Sequence, residues 1–594
     1  MAPDIATILG RHANDRTELM DILWEIQHGY GYIPPDAAQE VAGWLGLTDG
    51  DVLETASFYH FFHTTPSGRY RIYLANTAIA KLHDYQQVYD ALERETRARF
   101  DGPASPDFGL FDTACIGLSD QEPAMLIDEV VFTDLTPTSV ANIISQLKQG
   151  RSPAEIANPS GLSRTEVAYA DTLTRTTVHT SGPTFFSKEA DYRVSVDRCL
   201  AMTPEDVIAT IADSGLRGLG GAGFSTGTKW QLCRAAVGNE KYLICNADEG
   251  EPGTFKDRVL LTRSPKQVFA GMIIAAHAIG AARGIVYLRA EYAYLRDYLE
   301  QQLAELRDEG LLGDGFDLRI QMGAGAYICG DESALIESCE GKRGTPRLKP
   351  PFPVEYGFLG KPTCVNNVET FAAVARIMEM GADWFAAMGI SGSSGTRLLS
   401  VSGDCDRPGI HEIEWGVTLR EVLEMVGARD PLAVQISGPS GEMVSAATDA
   451  DRKLAYDDLP CNGSFMVFSA QRDILSVVRD FMQFFVDESC GICVPCRAGN
   501  VQLRDKVDLV IAGRAGRSDL DDMVGWGGII ARTSRCGLGA TSPNPILTTL
   551  QKFPEVYSSR LHHDRDGLLA SFDIDTALSG YPKALANLAE QESR

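Results

Sequence analysis

Apolar residues recur at helical spacing early in the chain, at Leu19, Met20, Ile22, Leu23 and Ile26 and again at Val52, Leu53, Ala56 and Phe58, which predicts amphipathic helices. Arg71 to Ala75 and Met125 to Phe132 then read as strands between helical segments. The Gly-Arg-Ser-Pro run at 150–153 and the polar stretch to about residue 180 predict a linker. Beyond it, apolar runs at Tyr242–Cys245, Gly284–Leu288 and Leu318–Gln321 alternate with helical patterning, as in a sheet covered by helices. After the Gly-Ser-rich stretch at 390–395, Leu398–Val401 and His411–Ile413 predict a hairpin, and Leu419, Val422, Leu423 and Val426 a short helix. This is a small α+β module. From Ile474 the spacing of Val477, Val478, Phe481 and Phe485 is helical, and a helical bundle is expected to follow.

Length and charge narrow the class. A chain of 594 residues exceeds one ordinary core and predicts several domains. A net charge of -26 argues against nucleic acid or an anionic membrane as partner, because both repel an acidic protein. The most apolar long stretch, Val268 to Leu288, carries His277 and Arg283 and three glycines; it reads as a buried helix followed by a strand, not a membrane span. The opening MAPDIATILGRHANDRTEL has no basic start leading into an apolar run, so no secretory signal is expected. The expected location is the cytoplasm, where most of the thirteen cysteines would stay reduced and clustered ones bind metal.

Four cysteines carry the clearest chemistry: Cys490, Cys493 and Cys496, with two residues between each and the next, and a distant Cys536. Three closely spaced thiolates and a fourth from elsewhere suit a [4Fe–4S] cluster. A zinc site or neighbouring buried thiols are the alternatives at this spacing.

A glycine-rich loop, Gly218, Gly220, Gly221 and Gly223 followed by Phe224 and Lys229, runs into a predicted helix. Glycines admit backbone amides to phosphate oxygens, and the helix start and Lys229 add positive potential; a plain tight turn is the bland alternative. Asn246, Asp248, Glu249 and Glu251 follow an apolar strand, where α/β folds place ligands, although acids at that density more often form a solvated turn. A second loop, Gly323 and Gly325 to Tyr327, Gly330, Asp331 and Glu332, also ends at a predicted helix start. Lys349 with Phe352, and Asn366 and Asn367 with Thr370, supply a cation, an aromatic face and amides. Two cradles predict two phosphate-bearing ligands.

From about residue 175 to 560 these strings resemble the flavin-binding, NADH-oxidising subunit of respiratory complex I and its soluble relatives. The N-terminal part, with Glu54-Thr55-Ala56-Ser57-Phe58-Tyr59, resembles the thioredoxin-like companion of that family. Among fused forms the arrangement is most similar to the diaphorase large subunits of cytoplasmic NAD-reducing [NiFe] hydrogenases. The resemblance implies a multidomain α/β and α+β chain: a thioredoxin-like domain at 1–165, a Rossmann-like FMN- and NAD-binding domain at 175–395, a ubiquitin-like (β-grasp) domain at 396–462, and a helical bundle with the [4Fe–4S] cluster at 463–594.

It also implies FMN near Gly218, Gly220, Lys229, Asn246, Asp248, Gly330, Asp331, Asn366, Asn367 and Thr370, and NAD(H) near Gly221, Phe224, Glu251, Glu332, Lys349 and Phe352, with Glu249 and Tyr327 beside them. Direct hydride transfer needs no side-chain acid or base, so no catalytic proton donor is assigned. Acids near the ribose, Asp331 or Glu332, would disfavour the extra phosphate of NADP(H). The sequence departs from the family pattern at Leu219, Ser225 and Asp331.

The thioredoxin-like companion normally holds a [2Fe–2S] cluster at positions occupied here by Ala75, Ala80, Cys115 and Ser119. Alanine cannot ligate iron, so this domain is expected to carry no cluster and to act in docking. The expected partners are NAD(H) and the other subunits of a hydrogenase complex, including a small iron–sulfur diaphorase subunit. The diaphorase subunit of an NAD-dependent formate dehydrogenase, a non-catalytic relay and a zinc module are the competing readings.

Overall fold

The computed structural model describes residues 4–100 and 102–562; the expectation for 563–594 lies outside the described residues. At its centre four parallel strands stand in the order Asp317–Met322, Arg283–Leu288, Tyr242–Ala247, Thr363–Asn367. The chain builds this sheet outward in one direction from Tyr242–Ala247, then returns to add Thr363–Asn367 on the other side. The strand order therefore reverses beside Tyr242–Ala247, and at such a point the loops at the carboxyl ends diverge and open a crevice.

Helices Pro265–Ile279 and Val368–Met380 pack on each other and on the sheet. Their contact is close because Gly271 has no side chain: a Cβ there would run into the Phe371 carbonyl oxygen.

The N-terminal module opens with the short helix Ile5–Leu9 and continues with helices Leu19–Tyr30, Pro35–Leu45 and Asp49–Phe58, the last started by a reciprocal Thr48–Asp51 cap. Its sheet runs Phe108–Thr113, Tyr70–Ala75, Met125–Ile127, Val130–Phe132. The single strand expected at Met125 to Phe132 is thus a hairpin, turned at Asp128 in the left-handed region (φ 54°).

This module is seated on the central one. Trp24 Nε1 donates to the Gly323 carbonyl (3.0 Å) and the Tyr59 hydroxyl to that of Lys342 (2.8 Å). Arg343 lies over the Phe58 ring at 4.8 Å. The motif Glu54 to Tyr59 therefore ends at an internal interface.

The third sheet has six strands, in the order Glu442–Ser445, Pro431–Ile436, Ser464–Ser469, Thr396–Gly403, Gly409–Glu414, Val178–Thr180. Two of them differ from expectation. Val178–Thr180, inside the expected linker, pairs in parallel beside Ile410 and His411; the linker is structured, with helices Pro153–Ala157 and Val167–Leu173. Ser464–Ser469, expected in the helical part, lies centrally in the sheet and is buried along its length. A fully buried strand shows no alternation to separate it from a buried helix. The helices Ile474–Asp487, Val494–Ile511, Arg517–Thr533 and Asn544–Lys552 complete the C-terminal part.

Gly271→Val recovers little helix propensity and places two methyl groups against a backbone that cannot step aside. A loss of about 1–3 kcal/mol is expected, read as a lower thermal unfolding midpoint. An unchanged midpoint would contradict the close helix contact.

Candidate functional site

A cavity of about 840 Å³ opens at the carboxyl ends of Tyr242–Ala247 and Thr363–Asn367. Of the residues singled out in the sequence, Gly220, Gly221, Asn246, Asp248, Glu249 and Glu251 line it, as do Tyr327, Gly330, Asp331 and Asn367. Gly220 lies so near Asn367 that a Cβ would stand 2.9 Å from the Asn367 Cβ, and Gly221 has φ 123°, a conformation that glycine adopts without strain.

Asn246 ties the two loops together, its Nδ2 donating to the Gly330 carbonyl (2.8 Å) and its Oδ1 accepting from the Asp248 amide (3.0 Å). Asn367 Oδ1 accepts from the Glu369 amide (3.0 Å) as the N-cap of Val368–Met380, while its Nδ2 donates to Asp257 (2.6 Å). Asp331 caps the helix Glu332–Cys339 in the same way.

The acids differ in what they face. Glu249 is turned inward, accepting from the Asp257 and Arg258 amides (2.8 and 3.1 Å) and the Tyr292 hydroxyl (2.9 Å); its carboxylate is structural, though burial pushes it up to about 7. Asp248 keeps one buried oxygen, Oδ2, without a hydrogen-bond partner, and burial holds its carboxyl well above the usual range. An unpartnered buried acceptor is costly, and a flavin ring presents N–H donors. The Asp248 position fits that ring. Glu251 accepts from the Tyr327 hydroxyl at 2.6 Å.

The other expected residues lie off the cavity wall. Lys229 Nζ pairs with Glu332 (2.9 Å) and donates to the Val365 carbonyl (3.0 Å). Lys349 stands 3.2 Å from Asp331 and 3.6 Å from Glu332. Burial pushes the Asp331 carboxyl up, but Lys349 and the donors around it outweigh that and hold it below its usual value. Each acid expected to repel a 2′-phosphate thus has a lysine beside it, which weakens that argument for NAD over NADP.

Thr370 Oγ1 accepts from the Leu219 amide (2.9 Å) and Asn366 Oδ1 from Trp230 Nε1 (3.0 Å), so both brace the loop from behind. The Gly218 amide closes the loop on the Phe224 carbonyl at 2.8 Å. Phe224 and Phe352 are 50% and 49% exposed, flat apolar faces available for stacking.

Three contributors escaped sequence reasoning. Lys256 lines the cavity although it is 2% exposed, bound to Asp257 (2.7 Å) and Glu369 (3.0 Å). In the sequence, Lys256-Asp257-Arg258 is a charged run that carries no signal of burial. Ser440 and Asn544 also line the cavity, from the six-stranded module and the C-terminal helices; no local pattern marks them.

Cys490, Cys493, Cys496 and Cys536 pack in one cluster with Phe485 and Leu538. Cys493 and Cys536 each occupy the N-cap of a helix, and Cys496 Sγ has Ser489 Oγ at 3.2 Å and Asn500 Nδ2 at 3.5 Å. Among the described residues no three His, Cys, Asp or Glu side chains already close around a point as ligands of one ion do. Four thiols gathered among apolar groups, with hydrogen-bond donors beside the sulfur, fit an iron–sulfur cluster. Gly537 and Leu538, directly after Cys536, line the large cavity.

In the N-terminal module, Cys115 Sγ lies 3.5 Å from Ser119 Oγ, and Glu122 accepts from Thr77. With Ala75 and Ala80 at the remaining positions, this donor set does not fit a [2Fe–2S] cluster.

Three family models match: a thioredoxin-like [2Fe-2S] ferredoxin over residues 5–148, the Nuo51 FMN-binding domain over 211–376, and the NADH-ubiquinone oxidoreductase-F iron-sulfur binding region over 476–560. The chain is 67% identical over 596 residues to the NAD-reducing hydrogenase HoxS subunit alpha of Cupriavidus necator, covering 99% of each. It is 42% identical over 382 residues to the NADP-reducing hydrogenase subunit HndC of Solidesulfovibrio fructosivorans, covering 61% of this chain and 78% of that one. Among solved structures it is similar to a chain of an NAD+-reducing [NiFe]-hydrogenase in the H2-reduced state, with TM-score 0.88, 37% identity and 97% of each chain covered.

Lys256→Met would take the ammonium from the buried Asp257 and leave Glu369 only the Arg397 guanidinium 3.8 Å away. A destabilisation of about 3–5 kcal/mol is expected, measurable as a lowered unfolding midpoint together with lost flavin on purification. Full flavin content and an unchanged midpoint would contradict the assignment.

Proposed function

The chain belongs to the family of the alpha subunits of NAD-reducing hydrogenases, and from that premise we propose that its cavity holds FMN against NAD(H) while Cys490, Cys493, Cys496 and Cys536 hold the [4Fe–4S] cluster. It is an NAD(H)-dependent oxidoreductase subunit that works within a hydrogenase complex. FMN, when bound, supplies a centre that exchanges an electron pair as hydride on one side and single electrons on the other.

The observation that carries the reading is that Asp248, Glu251 and Leu538, two positions after Cys536, all line the same cavity. The 67% identity along the whole length favours the hydrogenase branch over the formate dehydrogenase one.

The residues divide the work. The amides of Gly220 and Gly221 approach the phosphate end, with the Lys229–Glu332 pair behind them. Asp248 offers its free oxygen to a ring N–H, and Tyr327 covers the site while orienting Glu251. Phe224 and Phe352 present apolar faces to the nucleotide.

The N-terminal module carries no cluster in this reading, which rests on Ala75, Ala80 and Ser119, and its contacts with the central module make it a brace. No described helix is long and apolar enough to cross a membrane. We place the protein in the cytoplasm, supported by thirteen cysteines that are all free.

Cys536→Ser separates the two halves. In anaerobic NADH titration the variant should still bleach its flavin band, while iron falls from about four per chain and the reduced-cluster resonance disappears. Retained iron would refute the ligand assignment. A flavin-loaded wild-type protein that NADH does not bleach would favour the non-catalytic relay.

A further inference from the structure

We propose that Ser440 is a positioning residue for hydride exchange, reaching from the six-stranded module to hold both oxygens of Glu251 in one orientation toward the cavity. The inference rests on the proposed function, with NAD(H) beside Glu251 and its nicotinamide end toward that carboxylate.

The Ser440 amide donates to Glu251 Oε1 at 3.0 Å and its hydroxyl to Oε2 at 2.9 Å, where Tyr327 also donates at 2.6 Å. Ser440 Oγ also lies 3.2 Å from the Ser437 carbonyl. A hydroxyl has one proton, and the shorter bond, to a carboxylate, is the stronger. The carboxylate is thus gripped from two modules. A water-exposed glutamate would turn freely about its last bond; this one has an assigned donor on each oxygen.

The gripping loop is itself held. Ser440 lies between the strands Pro431–Ile436 and Glu442–Ser445. Ser437 adopts φ 66°, and its hydroxyl donates to the Pro460 carbonyl (3.0 Å) while accepting from the Asn462 amide (2.8 Å). Gly438 passes so near Glu251 that a Cβ would lie 2.5 Å from its Cγ and Oε1. From the far side, Asn544 Nδ2 donates to the Ser440 carbonyl at 2.8 Å. Asn544 begins a helix of the part that carries the four cysteines. The orientation of one carboxylate therefore depends on three modules meeting correctly.

The clamp also sets the charge. Burial pushes Glu251 up to about 7, and the Tyr327 and Ser440 donors oppose that rise. Burial and these donors are the leading causes, with Asp248, Glu249, Lys256, Asp257, Asp331 and Glu442 as the charged groups that share the cavity wall. Removing the Ser440 hydroxyl withdraws a donor from the ionised form, so the carboxyl must rise further and be mostly protonated at neutral pH.

Infrared titration of the purified flavin-loaded protein tests this, the Glu251 carboxyl band being the one missing in Glu251→Gln. In Ser440→Ala its midpoint is expected about one pH unit higher, with the acid limb of NADH:ferricyanide turnover moving the same way. Ser440→Thr, which keeps the hydroxyl, restores the original values. An unmoved infrared midpoint overturns the clamp. A moved midpoint with an unmoved turnover profile overturns its part in hydride exchange and shows that the fault lies in placing Glu251 at the nicotinamide. Should Ser440→Ala not fold, Asn544→Ala, which removes the loop's outer support, is expected to shift the midpoint upward as well, and no shift there overturns the proposal.

Discussion

The structure depends on keeping a row of carboxylates out of water beside a ligand cavity. Burying an ion without a partner costs several kcal/mol, so each needs a cation or a set of N–H and O–H donors, and the loop that carries them cannot supply enough. Lys256, 2% exposed, stands between Asp257 and Glu369. Arg289 pairs with Glu291 at 2.6 Å and also donates to the Cys115 carbonyl of the N-terminal module at 2.7 Å. Arg258 donates to the Gly117 carbonyl at 2.9 Å and lies 3.7 Å from Asp120. Buried guanidinium groups behind the acidic loop thereby fasten the N-terminal module to the central one.

This gives the thioredoxin-like module a structural role in the chain. Its sheet and helices remain, and its family model matches over residues 5–148, yet alanines and a serine stand where thiolates would be needed. What it contributes are backbone carbonyls at Cys115 and Gly117, presented to buried guanidinium groups.

Legibility in the sequence followed locality. The four cysteines, the glycine loop and the strand ending at Asn246 are short contiguous signals, because thiolate spacing, close backbone approach and a strand's carboxyl end are each properties of a few residues in a row. Asn366, Thr370 and Lys229 were marked by the same strings, but they support the loop from behind and do not line the cavity. Ser440 reaches Glu251 from a separate module, with Asn544 holding the Ser440 carbonyl from a third, and only tertiary packing brings them together. The edge strand Val178–Thr180 was hidden for a related reason: three residues have no period, and their pairing with Gly409–Glu414 spans more than two hundred positions. Lys256 went unmarked because nothing in an isolated charge run signals burial.

The central claim, that one cavity and one cysteine cluster side by side form the electron path, is tested most directly by an experimental map of the flavin-loaded protein with iron-edge anomalous scattering. The account predicts flavin density beside Asp248 and Gly330 and a single iron peak among Cys490, Cys493, Cys496 and Cys536, with Leu538 next to it. Flavin density elsewhere, or iron bound near Cys115, would contradict it.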